Sequence, residues 1–206
     1  MKTEFVSKDY TAGQLNAMIK ELIKQVGENG PNLLLQGKLK IEVIKESILN
    51  WLGTTTTSAT TEKFVSMDKF VKDSKEVKFY GIWGNFTNWF LTDDGKIEEP
   101  ISEQTLRYGN LTNNSIDGPI IEELCGEAKA ETTLSELYDL LKKQPKGEDG
   151  DLLTNGRANI FYIKDRGSVL RAVFVHWDGS GWGVYAYSVE FPGEWRAGGR
   201  VFSRNS

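Results

Sequence analysis

The 206-residue chain has one cysteine, Cys125, and one histidine, His176. The first excludes an intramolecular disulfide and any zinc site built on several cysteines. The second excludes paired-histidine metal motifs and a relay of two histidines. No stretch approaches the ~18 apolar residues of a membrane helix, and no apolar segment after Met1-Lys2-Thr3-Glu4-Phe5 reads as a secretion signal. A cytoplasmic location with no membrane partner is therefore expected. No phosphate-cradling glycine loop, GxSxG elbow or metalloprotease motif occurs, and nothing points to a cofactor or a metal. Glu148-Asp149-Gly150-Asp151 is acidic but lacks the ordered spacing of a calcium loop, so it reads as a solvated loop. Positive charge is also short. The net charge is −4, which disfavours a nucleic-acid partner, because such binding rests on a basic footprint.

What is present is a globular composition, 39% hydrophobic and 26% charged, enough to bury a core. Basic chemistry changes type along the chain. Six of the seven arginines (Arg157, Arg166, Arg171, Arg196, Arg200 and Arg204) fall after residue 150, where Lys164 is the only lysine. Arginine offers a planar bidentate fork and stacks on aromatic rings, which lysine does less well. The C-terminal part is thus the expected place for recognising an anion, a carboxylate or an aromatic group, unless these arginines merely cover a solvated sheet face.

Leu15, Met18, Ile19, Leu22, Ile23 and Val26 share one helical face, so a helix is expected over residues 12–26, opened by a Thr11/Gln14 capping box and stopped by Gly27. A short helix from Asn32 to Gln36 and a strand around Leu39, Ile41 and Val43 follow. Residues 44–52 lean towards a short helix. The run Thr54-Thr55-Thr56-Thr57-Ser58-Ala59-Thr60-Thr61 supplies no apolar side chain larger than alanine and reads as a linker, with a β-branched edge strand as the alternative. The middle region holds a strand from Val77 to Trp83, a helical turn or two from Asn85 to Leu91, a helix from Asp117, and a helix capped by Thr133 and Glu136. Four strands follow: Ala158 to Lys164, Val169 to Trp177, Trp182 to Val189 and Arg200 to Arg204.

The loop Asp178-Gly179-Ser180-Gly181 sets the register of one hairpin by pairing Trp177 with Trp182. Alternation then puts Trp177/Trp182, Val175/Val184 and Val173/Ala186 on one face, with Arg171 near Ser188. The other face carries His176 opposite Gly183, Phe174 opposite Tyr185 and Ala172 opposite Tyr187. His176 is the natural acid/base candidate, and the gap at Gly183 leaves room for a ligand or a backbone segment, but its aromatic surroundings favour a structural role. Arg171 lies on the opposite face. Trp195, in the loop from Phe191, is the tryptophan expected to be exposed, beside Arg196 and Arg200. Cys125, next to Leu124, reads as buried and inert.

Thr11-Ala12-Gly13-Gln14-Leu15-Asn16-Ala17, the stretch from Asp117-Gly118-Pro119-Ile120-Ile121 to Ala130-Glu131-Thr132-Thr133-Leu134, and Arg200-Val201-Phe202-Ser203-Arg204-Asn205-Ser206 resemble a set of uncharacterised proteins from candidate-phylum bacteria. So do Gly147-Glu148-Asp149-Gly150, Leu153-Thr154-Asn155-Gly156 and Ala158-Asn159-Ile160-Phe161-Tyr162. The resemblance implies a bacterial cytoplasmic protein and no mechanism.

The expected fold is α+β: a small, mainly helical N-terminal module (1–53), a threonine-rich linker (54–61), and a domain (62–206) of short helices packed on a C-terminal antiparallel β-meander. The leading functional expectation is a non-catalytic binding or interaction protein. It would meet a protein or small-molecule partner through Arg171, Trp195, Arg196 and Arg200. The first alternative is a small metal-independent hydrolase of ribonuclease type, with His176 as acid/base, Glu194 as its carboxylate partner and an arginine on phosphate; the second is a structural subunit of a larger assembly.

Overall fold

The computed structural model describes residues 12–27, 29, 32, 33, 36, 37 and 47–204. The chain divides between Glu46 and Ser47. In the first part, α1 spans Ala12–Val26. Gly27, at φ 84°, ends it by donating its N–H to the Ile23 carbonyl at 2.8 Å. The expected Thr11 cap, the strand around Leu39 to Val43, and part of the helix from Asn32 to Gln36 lie outside the described residues.

The second part corrects the expected fold class. It is dominated by one large mixed sheet, and the described residues show no mainly helical N-terminal module. Its strands are β1 (Leu49–Thr57), β3 (Phe79–Ile82), β5 (Gln104–Leu111), β6 (Glu131–Thr132), β7 (Asn159–Lys164), β8 (Leu170–Trp177), β9 (Trp182–Ser188) and β10 (Arg200–Arg204). The order across the sheet is β1-β5-β10-β7-β8-β9-β3, with β6 pairing β7 off this path. The meander β7-β8-β9 is antiparallel as expected, but it lies within a larger sheet rather than forming a separate one. β10 crosses back to lie parallel to β7 and antiparallel to β5, and β3 and β6 also pair in parallel. β2 (Phe64–Val65) and β4 (Ile97–Glu98) make a small second sheet.

In the threonine run the edge-strand alternative, not the linker, describes Thr54 to Thr57. Thr54 to Thr57 lie within edge strand β1, paired from Leu49↔Leu111 to Thr57↔Gln104 with a bulge between Trp51 and Gly53. Leu49 to Leu52 are extended here rather than helical. The run has no apolar alternation of its own, and the pairing is supplied by β5. Trp51 is held there beneath the Arg107 guanidinium, 4.1 Å from the ring centroid.

Short helices flank the sheet: α2 (Ser66–Lys69), α3 (Gly84–Phe86), which runs into one π-helical turn (Thr87–Leu91), α4 (Asp117–Glu123), α5 (Glu127–Ala130) and α6 (Leu134–Lys143). α6 is fixed as its sequence requires. Thr133 and Glu136 form the capping box, and the buried Glu98 carboxylate accepts the Leu134 and Ser135 N–H groups, both at 2.9 Å. A cap of this kind contributes about 1 kcal/mol. Burial raises the Glu136 pKa, opposed by Arg204.

Strand alternation divides the core in two. One sheet face buries Phe161, Val173, Val175, Trp182, Val184 and Phe202 against α6 and the segment from Phe64 to Phe90. The other buries Ile160, Tyr162, Ala172 and Val201 with Ile120, Leu124 and Trp195. The hairpin register is the expected one, from Arg171↔Ser188 to Trp177↔Trp182. The two tryptophan rings meet edge to face at 5.5 Å.

Candidate functional site

The loop from Pro192 to Gly199 returns from the end of β9 to the start of β10 and passes beside the segment from Asn155 to Ala158 that leads into β7. A cavity of about 360 Å³ opens between them, lined by Asn155, Arg157, Ile160, Glu194, Trp195 and Arg196 among others. Three residues singled out in the sequence, Glu194, Trp195 and Arg196, therefore meet in one place.

Trp195 is not the exposed tryptophan that its loop position suggested; it is 8% exposed. Its indole N–H donates to Asp117 Oδ1 at 2.7 Å, and the Tyr162 hydroxyl donates to the same oxygen at 2.8 Å. Burial raises the Asp117 pKa, and these two donors oppose that shift. The main chain is braced as well: Trp195 N–H donates to the Ser115 carbonyl at 2.7 Å, and Ser115 N–H to the Trp195 carbonyl at 3.1 Å. Packed in one buried cluster with Ile120 and Ile160, Trp195 is a fixed part of the cavity wall.

The two arginines differ. Arg157 donates from Nη1 to the Ala197 carbonyl and lies flat along Gly198, where a Cβ would come within 3.1 Å of its Nε. Gly198 has φ 81°, so the turn and the close approach both call for glycine. Arg196 is exposed; among the described residues its guanidinium has no hydrogen-bond or ion-pair partner. Among the described residues neither arginine is paired with a carboxylate. Glu194 stands on the rim and accepts from Asn114 Nδ2 at 3.4 Å. The arrangement offers one pre-placed and one free planar donor beside an aromatic wall, with one acceptor nearby.

The other sequence candidates lie elsewhere. Arg200 points to the opposite sheet face, over the Tyr108 ring at 4.8 Å, donating to Asn110 Oδ1 at 3.0 Å and to the Asp151 carbonyl at 2.6 Å. Burial lowers its pKa. Arg171 stacks on Trp89 at 3.9 Å and pairs with Asp165 at 2.7 Å. Arg166, near a second cavity of about 410 Å³, is likewise paired, with Asp93 at 2.5 Å. These arginines are already satisfied within the protein.

His176 lies against Phe174 and Tyr185. Burial lowers its pKa, opposed by Asp178. It shares no hydrogen bond or ion pair with Glu194, so the acid/base pair that a ribonuclease-type hydrolase would need is not assembled. The gap at Gly183 is filled by rings: a Cβ there would meet Tyr185 Cε2 at 3.0 Å, His176 Cε1 at 3.2 Å and Trp83 Cζ3, reaching across from the end of β3, at 3.2 Å. Cys125 is exposed rather than buried, at φ 68°.

Sequence reasoning missed Asp117 and Trp83 as determinants of this surface and gave Arg157 no role at the site. For Arg157 the signal was available: it precedes a strand within Asn155-Gly156-Arg157, a turn sequence. For Asp117 there was none, because its donors lie 45 and 78 residues away; for Trp83 the ring contacts with Tyr185 and Gly183 come from a strand about a hundred residues on.

The chain matches no family model, no curated protein and no solved structure. The chemistry of the cavity is therefore argued from its own residues.

Proposed function

We propose that this protein is a non-catalytic binding protein that captures a small organic anion in the Trp195 cavity. The observation that carries the reading is the placement of Arg157 and Arg196, neither paired with a carboxylate, beside a tryptophan locked by a buried Asp117. Arginine left without a carboxylate in a cavity suits a carboxylate or phosphate, which the planar fork can hold with two parallel hydrogen bonds. The fixed indole suits a flat or apolar group beside that anion. Glu194 favours a ligand that carries an N–H donor close to its charge.

N-acetylphenylalanine has all three features. Calorimetric titration is expected to show it binding, with its C-terminal amide binding at least tenfold more weakly. Arg157→Gln and Arg196→Gln should each weaken the acid and leave the amide nearly unchanged. Equal binding of acid and amide, or binding that survives both substitutions together, would overturn the reading.

A further inference from the structure

Beside the cavity, one face of the sheet carries a row of rings that nothing in the anion site accounts for. Gly81 of β3 pairs with Gly183 of β9, leaving bare backbone on this face. The Trp83 ring lies over it: a Cβ on Gly81 would fall 2.0 Å from Trp83 Cη2, and one on Gly183 would fall 3.2 Å from Cζ3. Trp83 stacks on Tyr185 at 4.5 Å and 6°, and Tyr185 stacks on Phe174 at 4.8 Å and 10°. Phe174 meets Trp195 edge to face at 5.1 Å. The spacings match the ~4.8 Å between neighbouring strands, so the row runs across the strands and ends at the cavity wall.

The row remains open. Trp83, Phe174 and Tyr185 are half-buried, and Tyr80, tilted against Trp83 at 5.2 Å, is 48% exposed. Among the described residues the hydroxyls of Tyr80 and Tyr185 make no hydrogen bond. The ring planes are largely occupied by one another, so the surface offers ring edges and phenol hydroxyls rather than free faces. Sugars and nucleobases stack on free ring faces. An extended peptide instead uses apolar or proline side chains against an aromatic-lined strip, with its carbonyls open to hydroxyl donors.

We infer that the row and the cavity form one continuous site for an extended peptide with a free C-terminal carboxylate. The carboxylate sits between Arg157 and Arg196, the amide N–H of the last residue faces Glu194, and the preceding apolar residues run over Phe174 and Tyr185 towards Trp83. This rests on the anion reading of the cavity and adds the row to it.

The test is a random hexapeptide library selected against the full chain, once with free C-termini and once amidated. Enrichment is expected from the free-acid library alone, with apolar residues or proline before the last position. Selected peptides should bind at least tenfold more tightly than N-acetylphenylalanine. Trp83→Ala should remove that gain while leaving N-acetylphenylalanine binding unchanged. Tyr185→Phe, which keeps the stack and removes the hydroxyl, should remove part of it. If N-acetylphenylalanine binds but no peptide exceeds it, or the gain survives Trp83→Ala, the row is not part of the site and the cavity reading stands alone. If neither binds, both readings fall. Enrichment from the amidated library would overturn the assignment of the carboxylate, and binding of an oligosaccharide such as cellohexaose in place of peptides would overturn the ligand class.

Discussion

The two faces of the β8–β9 hairpin both carry aromatic side chains and are buried to different depths. On one face Trp182 is fully buried, and its indole N–H donates to the Gln144 carbonyl at 2.7 Å. On the other, Phe174, His176, Tyr185 and Tyr187 are half-buried, and the Tyr185 and Tyr187 hydroxyls have no partner among the described residues. Aromatic content alone therefore does not separate core from surface. For Trp182, Tyr185 and Tyr187 the difference is whether the polar tip finds an acceptor inside the protein, since burying one without a partner costs about 1–3 kcal/mol.

The comparison breaks most directly at its two tryptophans. Trp182→Ala should cost about 3–5 kcal/mol, as for other buried aromatics, read as a lower urea midpoint. Trp83→Ala, on the open face, should lose only the ring contacts, about 0.5–1.5 kcal/mol. Equal losses would show that both faces serve as core. Gly81→Ala should fall between them, at about 1–3 kcal/mol, the usual penalty for overpacking. It should also change the near-ultraviolet circular dichroism, because the new methyl displaces the Trp83 ring. An unchanged spectrum would mean that the ring does not lie on Gly81.

Cys125 tests a smaller effect. Its left-handed backbone costs about 1–2 kcal/mol for a residue with a side chain, so Cys125→Gly should gain about 1 kcal/mol in chemical denaturation. The native thiol should react with a thiol reagent without unfolding, and a protected thiol would contradict its exposure.

The smallest effect is a pH slope. Burial holds the folded pKa of Asp117 above its ordinary 3.8, so the folded chain binds this proton more tightly than the unfolded chain. The stability from this group is present in full below the unfolded value and is lost as pH rises through the folded value. In Asp117→Asn the amide oxygen can still accept from Trp195 and Tyr162 without titrating. The variant should therefore gain on the wild type as pH rises above 3.8. A difference of the opposite sign would mean that the two donors outweigh burial and hold the carboxylate charged.

Local signals were legible in the sequence. The hairpin register followed from the Asp178–Gly181 turn, where Asp178 Oδ1 accepts the Ser180 and Gly181 N–H groups at 2.7 and 3.0 Å. The start of α6 followed from its capping box. Features closed by distant partners were not legible. Trp195 read as exposed because its acceptor lies 78 residues away. The threonine run read first as a linker, with the edge strand that Thr54 to Thr57 do form as the alternative, because its pairing comes from β5, whose own pattern is interrupted at Gly109. A Cβ there would come within 2.8 Å of the Asn50 carbonyl oxygen. Around the cavity, the cluster of Glu194, Trp195 and Arg196 was visible because it is local; the locking of Trp195 by Asp117 and the row of rings from Phe174 to Trp83 were not.

The position of β10 bears on how this protein reaches its structure. β10 is synthesised after every other strand of this sheet among the described residues, yet it lies between β5 and β7 near the middle of the sheet. Until it is synthesised, the β1–β5 pair and the β7–β8–β9 meander have no strand joining them; the inner edge of β5 is bare, and that of β7 is covered only at Tyr162 and Ile163, by β6. Such edges template pairing with other chains, and contacts made across so much sequence slow folding. The nascent chain therefore passes through an interval in which two half-sheets wait, open-sided, for a five-residue strand to close them.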